Sequence, residues 1–174
     1  MNIILPNTYV QDLDRPLIFL LGPVRCGPLW QDDAIEYLLS QDKNILIANP
    51  RRSVKESLKP YVISGNDSIF QRQREWEWHY QDKTSMKGVL MFWLPQEANH
   101  SCEKSYALMT SNEFGHWTAM YQTNRNINLV FGTDGKFNEW KTFQYDLQRK
   151  APDIVVQNSL EETCRQALNF IYKK

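Results

Sequence analysis

Chemistry in this chain concentrates in one short run, Thr110-Ser111-Asn112-Glu113-Phe114-Gly115-His116-Trp117. Two readings fit it. In the first, Thr110 caps a helix and Glu113, three residues on, reaches back to the cap amide, as in a capping box. In the second, Glu113 lies in the first helical turn and acts as a nucleophile. The helix N-terminus stabilises a carboxylate there by roughly 0.3–1 kcal/mol and keeps it ionised at neutral pH. Gly115 beside it lets a ring or backbone come close. An ionised carboxylate facing an anomeric carbon attacks it or stabilises an oxocarbenium-like transition state, as in retaining glycosidases. The two readings are compatible with each other.

Such a carboxylate needs a scaffold, and the apolar patterning supplies one. Leu17–Leu21 reads as a buried strand ended by Gly22-Pro23, and Ile45-Leu46-Ile47-Ala48 as a second ended by Asn49-Pro50. Val89–Leu94 is continuously apolar, as a strand buried on both faces should be, and Pro95 closes it. Residues 127–131 make a fourth strand, and Asp153-Ile154-Val155-Val156 a short fifth. Helical spacing appears after the first strand (Trp30, Ala34, Tyr37, Leu38) and over about 68–83, with Ile69, Trp76 and Tyr80 on one side. It returns over about 111–122 and, most clearly, in Leu160, Cys164, Ala167, Leu168 and Ile171. The stretch 137–148 is ambiguous between a helix and a hairpin.

Strand and helix alternate, which implies one α/β domain over 1–174: a doubly wound, parallel, five-stranded sheet with helices on both faces. Ligands bind such sheets outside the carboxyl ends of the strands, near the switch in strand order. Three loops qualify, at 22–28, 49–67 and 95–112.

Composition narrows the partners. Twenty basic and twenty acidic residues cancel over 174 residues, so the basic excess of an extended nucleic-acid binder is missing. The apolar runs are too short for a membrane span, and the N-terminus lacks the character of a signal peptide. Cys26, Cys102 and Cys164 form no C-x-x-C pair, and an odd count argues against a disulfide framework. The expected compartment is the reducing cytoplasm. Common motifs fail. Gly22-Pro23-Val24-Arg25-Cys26-Gly27 is followed by Pro28-Leu29 rather than Lys-Ser/Thr, and Val24 interrupts the dinucleotide pattern. His79, His100 and His116 have no metal-ligand spacing, and there is no G-x-S-x-G elbow. Neither a metal nor a cofactor is expected.

Four patches taken together resemble the nucleoside 2-deoxyribosyltransferase-like family. They are Ile18-Phe19-Leu20-Leu21-Gly22-Pro23-Val24-Arg25, Asn49-Pro50-Arg51-Arg52, Phe70-Gln71-Arg72-Gln73-Arg74-Glu75-Trp76-Glu77 and Ser111-Asn112-Glu113-Phe114-Gly115. The resemblance covers roughly the first two-thirds of the chain. It implies a flavodoxin-like fold and a glutamate, here Glu113, that attacks C1′ of a deoxyribosyl group while the base leaves. It also implies binding roles. Gly22, Pro23 and Arg25 would line the sugar or its 5′ end, with Arg25 on a 5′-phosphate; Asn49 and Arg51 would touch base or sugar; Gln73 and Glu77, one helical turn apart, would face the cleft. Plainer readings stand beside these: a solvated loop cation for Arg25, a strand-ending turn for Asn49 and Arg51, and core packing for Trp76 and Trp93.

One departure is clear. Where the family carries an acid before the third strand, this chain has Lys87, and Glu97 and Glu103 in the following loop are the substitutes within reach. The implied ligand is a small nucleoside or nucleotide, and the alternative is a non-catalytic nucleotide-binding module on the same fold. The family also suggests a homo-oligomer whose neighbours close the site. Trp117, Met120 and Tyr121 suit an interface, or equally packing on the sheet.

Overall fold

The computed structural model describes residues 2–11, 13–51, 69–100 and 105–173. Five parallel strands form one sheet: β1 (Ile3–Ile4), β2 (Leu17–Leu21), β3 (Leu46–Ala48), β4 (Val89–Leu94) and β5 (Leu129–Thr133), in the order β1-β3-β2-β4-β5. Among the described residues, five helices connect or follow them: α1 (Trp30–Gln41), α2 (Ile69–Lys87), α3 (Leu108–Thr123), α4 (Trp140–Lys150) and α5 (Leu160–Tyr172). The expected α/β architecture of flavodoxin-like type is therefore present.

Alternation along each strand sorts the core into two layers. Leu17, Phe19, Leu21, Leu90, Phe92, Leu94, Leu129 and Phe131 face one side, where Trp76 and Tyr80 of α2, Phe114 and Trp117 of α3 and Phe143 of α4 cover them. Ile18, Leu20, Val89, Met91, Trp93 and Val130 face the other, under Trp30, Ala34 and Leu38 of α1 and Cys164 and Ala167 of α5. A strand with helices above and below has no solvent face, which is why β4 reads as an unbroken apolar run. Register continues the pattern from strand to strand, with Phe19 beside Leu90 and Leu90 beside Leu129.

Several expectations need correction. The fifth strand of the sheet is not 153–156 but β1 at the N-terminus. Ile47 N–H donates to Asn2 O at 2.8 Å and Asn49 N–H to Ile4 O at 3.0 Å. The 153–156 stretch runs alongside β5 and joins it only through the Gly132–Gln157 bridge. Gln157 N–H donates to Phe131 O at 2.8 Å and Thr133 N–H to Gln157 O at 3.0 Å. Ile154 and Val156 pack on the core without laddering, while Asp153 is engaged by Arg125 and Tyr121. Without β1, the order β3-β2-β4-β5 plus this bridge is the flavodoxin-like order 2-1-3-4-5 with its last strand reduced to one residue. The ambiguous 137–148 stretch is mostly helix, α4. Trp117 and Tyr121 are buried against the sheet, so packing and not an interface uses them; only Met120 of the three is exposed. Trp76 and Trp93 are core, as their plainer readings had it. Among the described residues, no helix is long and apolar enough to cross a membrane, and Cys26 and Cys164 are free.

Gly132 shows how tightly α5 seats on the sheet. A β-carbon there would lie 1.9 Å from Thr163 Oγ1 and 2.9 Å from the Trp93 ring, whereas one at Gly115 in α3 would meet nothing within 4 Å. Opposite signs follow for the same substitution. Gly132→Ala is expected to lower unfolding stability by about 1–3 kcal/mol through overpacking. Gly115→Ala is expected to raise it by up to about 1 kcal/mol through helix propensity. Urea midpoints of the two variants check both.

Candidate active site

A cavity of about 970 Å³ opens over the carboxyl ends of β2 and β4, which is where the strand order reverses and where ligands enter such sheets. The 22–26 loop forms one wall, Gln73, Arg74 and Glu77 of α2 another, and residues 105–110 with Glu113 of α3 the third.

Each wall is fixed by local chemistry. Pro23 O accepts from Trp30 Nε1 and Gln31 Nε2, both at 3.0 Å, which pins the first loop onto α1. A β-carbon at Gly22 would lie 2.3 Å from Trp93 O and 2.7 Å from the Trp30 ring, so only glycine lets the chain turn so close to β4. Cys26, in the left-handed region at φ 59°, offers its carbonyl to the amides of Ala98 (2.7 Å) and Asn99 (3.1 Å) and so ties this loop to the one after β4. Tyr106 spans the same gap, its hydroxyl donating to Pro95 O at 3.0 Å; burial, chiefly, holds that phenol above its ordinary pKa.

Glu113 sits at the join of α2 and α3. Its Oε1 accepts from Gln81 Nε2 at 2.8 Å and from Arg74 Nη1 at 3.4 Å. Gln81 is oriented in turn by Trp117, whose Nε1 donates to Gln81 Oε1 at 2.7 Å, so the amide can present only its NH₂ to the carboxylate. Arg74 also pairs with Glu77, and Glu77 Oε1 accepts from Gln73 Nε2 at 3.0 Å. One guanidinium thus bridges two carboxylates on the cavity wall. Glu113 lines the cavity, and its Oε2 takes no hydrogen bond among the described residues.

The acid differs from its expected state. α3 begins at Leu108, after Ala107 in the left-handed region at φ 55°, with no side-chain cap. Thr110 is therefore inside the helix, the capping box does not form, and Glu113 lies in the second turn, beyond the reach of most of the terminal dipole. Glu113 is 7% exposed. Burial, first, pushes its pKa up to about 7; Gln81 and Arg74 pull it down, and the negative charge of Glu77 adds to the rise. At neutral pH the carboxyl is poised between its two forms instead of fully ionised.

Of the other expected residues, Gly22, Pro23, Arg25, Gln73 and Glu77 line the cavity with Glu113. Arg25 is exposed at the wall. Asn49, Arg51 and Gly115 do not line it. Asn49 is wholly buried, its Oδ1 accepting from Arg51 N–H at 3.0 Å, the strand-ending turn of its plainer reading. Arg51 Nη1 turns to Pro28 O (3.3 Å) and Gln31 Oε1 (3.4 Å); burial lowers its pKa and nearby Asp32 opposes that. Lys87 ends α2 at the other end of the sheet, beside a separate depression, so it does not occupy this site. Glu97 pairs with His100 at 3.3 Å and is not a wall residue; Glu103, like Arg52, lies outside the described residues. Arg74, Gln81 and Trp117 were not singled out for the site from the sequence. For Arg74 and Gln81 the signal was the polar series Gln73, Arg74, Glu77, Gln81 and Thr84 at helical spacing beside apolar Trp76 and Tyr80.

Compared with models of known protein families and with curated proteins, the sequence matches none.

Two titrations check this electrostatic picture. The folded pKa of Glu113 lies above its ordinary value of 4.5, so the folded state holds the proton more tightly. Stability should then be greatest below pH 4.5 and fall as pH rises to about 7, by on the order of 2–3 kcal/mol. Glu113→Gln should remove that part of the slope in pH-dependent urea melts. Trp117→Phe frees the Gln81 amide to turn its oxygen toward the carboxylate, and should raise the Glu113 pKa by about one further unit, read by carbon NMR of labelled glutamate.

Proposed function

We propose that this protein breaks or exchanges the N-glycosidic bond of a nucleoside or nucleotide, with Glu113 as nucleophile, in the manner of nucleoside 2-deoxyribosyltransferase-like enzymes. One observation carries the reading: a carboxylate in the wall of a cavity of about 970 Å³, with one oxygen held by Gln81 and Arg74 and the other without a hydrogen bond among the described residues. That volume is in the range of sites that enclose drug-sized ligands.

The arrangement suits covalent displacement. Fixing Oε1 orients Oε2, and holding an attacking atom in place removes much of the entropic part of a barrier. Oε2 bonds to C1′ as the C1′–N bond breaks, the bonding pair leaves with the base, and the base takes up a proton. Water or a second base then displaces Glu113 from C1′, which gives hydrolysis or transfer. Arg74 keeps positive charge beside a carboxylate that burial disfavours, and Arg25 at the cavity wall matches a 5′-phosphate.

A panel of ribo- and deoxyribonucleosides, their 5′-phosphates and nicotinamide dinucleotide, assayed for free base, tests the proposal. The wild type should release base from at least one compound, and Glu113→Gln should lose about a thousandfold or more of that rate. Because the nucleophile must be ionised, kcat/KM should climb with pH to a half-maximum near 7 and level off above it. Denaturing mass spectrometry should trap a glycosyl adduct on the peptide containing Glu113. No base release from any compound, or release that survives Glu113→Gln, refutes the reading.

A further inference from the structure

Among the described residues in the cavity wall, two are buried carboxylates: Glu113 of α3, 7% exposed, and Glu77 of α2, 8% exposed. They come from elements far apart in sequence and meet at one atom. Arg74 Nη1 donates to Glu77 Oε2 and, at 3.4 Å, to Glu113 Oε1. Two acids that share a donor stand within two hydrogen-bond lengths, about 6 Å. Retaining glycosidases hold their nucleophile and their acid–base carboxyl roughly 5–5.5 Å apart. The second acid here is also fixed in place. Gln73 Nε2 donates to Glu77 Oε1 at 3.0 Å and to Pro50 O at 3.3 Å, and the Trp78 ring centre lies 5.2 Å from the Arg74 guanidinium.

Displacement at Glu113 leaves one step without a residue. Water that opens the glycosyl ester must lose a proton as it bonds to carbon, and Glu113, then esterified, cannot take it. The other titratable side chains in the described wall are Arg25, Cys26, Arg74, Glu77 and Tyr106. The two guanidinium groups are donors only. The Tyr106 hydroxyl is committed to Pro95 O, and burial holds its pKa high. Cys26 belongs to the 22–26 loop, whereas Glu77 shares a donor with the nucleophile itself. Each Glu77 oxygen accepts one bond in the described wall, and a carboxylate offers about four lone-pair positions. Room to accept a proton remains.

Resting on the reading of Glu113 as nucleophile, we propose that Glu77 is the general base of the second displacement, taking the proton of the water that releases the sugar. The water oxygen bonds to C1′, the C1′–Oε2 bond breaks, and its electron pair returns to Glu113. The proton passes to Glu77 and from there to solvent. Arg74 balances the exchange: negative charge leaves Glu77 as it appears on Glu113, and the same Nη1 already faces both. A donor set in advance for both states needs no reorganisation during the step.

Rapid-quench assays of Glu77→Gln test this over ribo- and deoxyribonucleosides, their 5′-phosphates and nicotinamide dinucleotide. Free base should appear in a burst of about one equivalent per Glu113, followed by turnover about a hundredfold or more below wild type. Denaturing mass spectrometry during the slow phase should find the glycosyl adduct on the Glu113 peptide as the main species. Azide, a nucleophile with no proton to lose, should restore turnover and give the glycosyl azide. Glu77→Asp, which keeps the charge, should accumulate the same adduct with a smaller loss of rate, and thermal melts check that both variants fold. Wild-type turnover in Glu77→Gln, or equal loss of burst and steady rate with no adduct and no azide rescue, overturns the role of Glu77 alone. No base release by the wild type overturns the nucleophile reading and this role with it.

Discussion

The hydrogen bond from Gln81 to Glu113 is the constraint on which the upper layer of this molecule depends. An ionised carboxylate placed among Phe114, Trp117 and the aromatic residues of the sheet would be costly without a donor. The Gln81 amide provides one at 2.8 Å and is held in that sense by Trp117. The chain of contacts runs from α3 to α2 and back to α3, so the same groups that set the acid's protonation also lock the two helices together over β2 and β4. Structural and chemical roles coincide there: loosening Trp117 disturbs a core and a titration at once.

The architecture was largely legible in the residues, and the reasons are physical. A strand buried on two faces has no polar position to tolerate, so β4 and β2 announce themselves, and α5 does so through its apolar stripe. Short edges are another matter. Ile3 and Ile4 contribute two residues that pair only because β3 presents a free edge, and nothing local distinguishes them from a loop. Conversely, Ile154-Val155-Val156 has the composition of a strand, but its apolar side chains pack on the core while only Gln157 finds β5. Tertiary context decided both.

The site was legible in part. Glu113 and its glycine-proline loop follow from where polar residues interrupt strand ends. The state of the acid does not follow, because a threonine three residues upstream suggested a helix start that the chain places at Leu108. Local spacing speaks to dipoles and caps; burial by residues far apart in sequence speaks to pKa, and here burial is the larger influence. Arg74 and Gln81 were hidden for the same reason. Each is an ordinary helical polar residue until α3 is laid across α2.

Both margins of the sheet are blunt. β1 offers two residues on one side, and on the other a single residue, Gln157, covers β5. A parallel sheet with long bare margins would present rows of unmet amides and carbonyls to any passing chain, which is how edge-to-edge aggregation begins. Here the outermost ladders stop almost as soon as they start, so a stray strand finds little to zip onto. The abbreviated margins thus give a domain rich in contiguous apolar strands some protection against associating with itself.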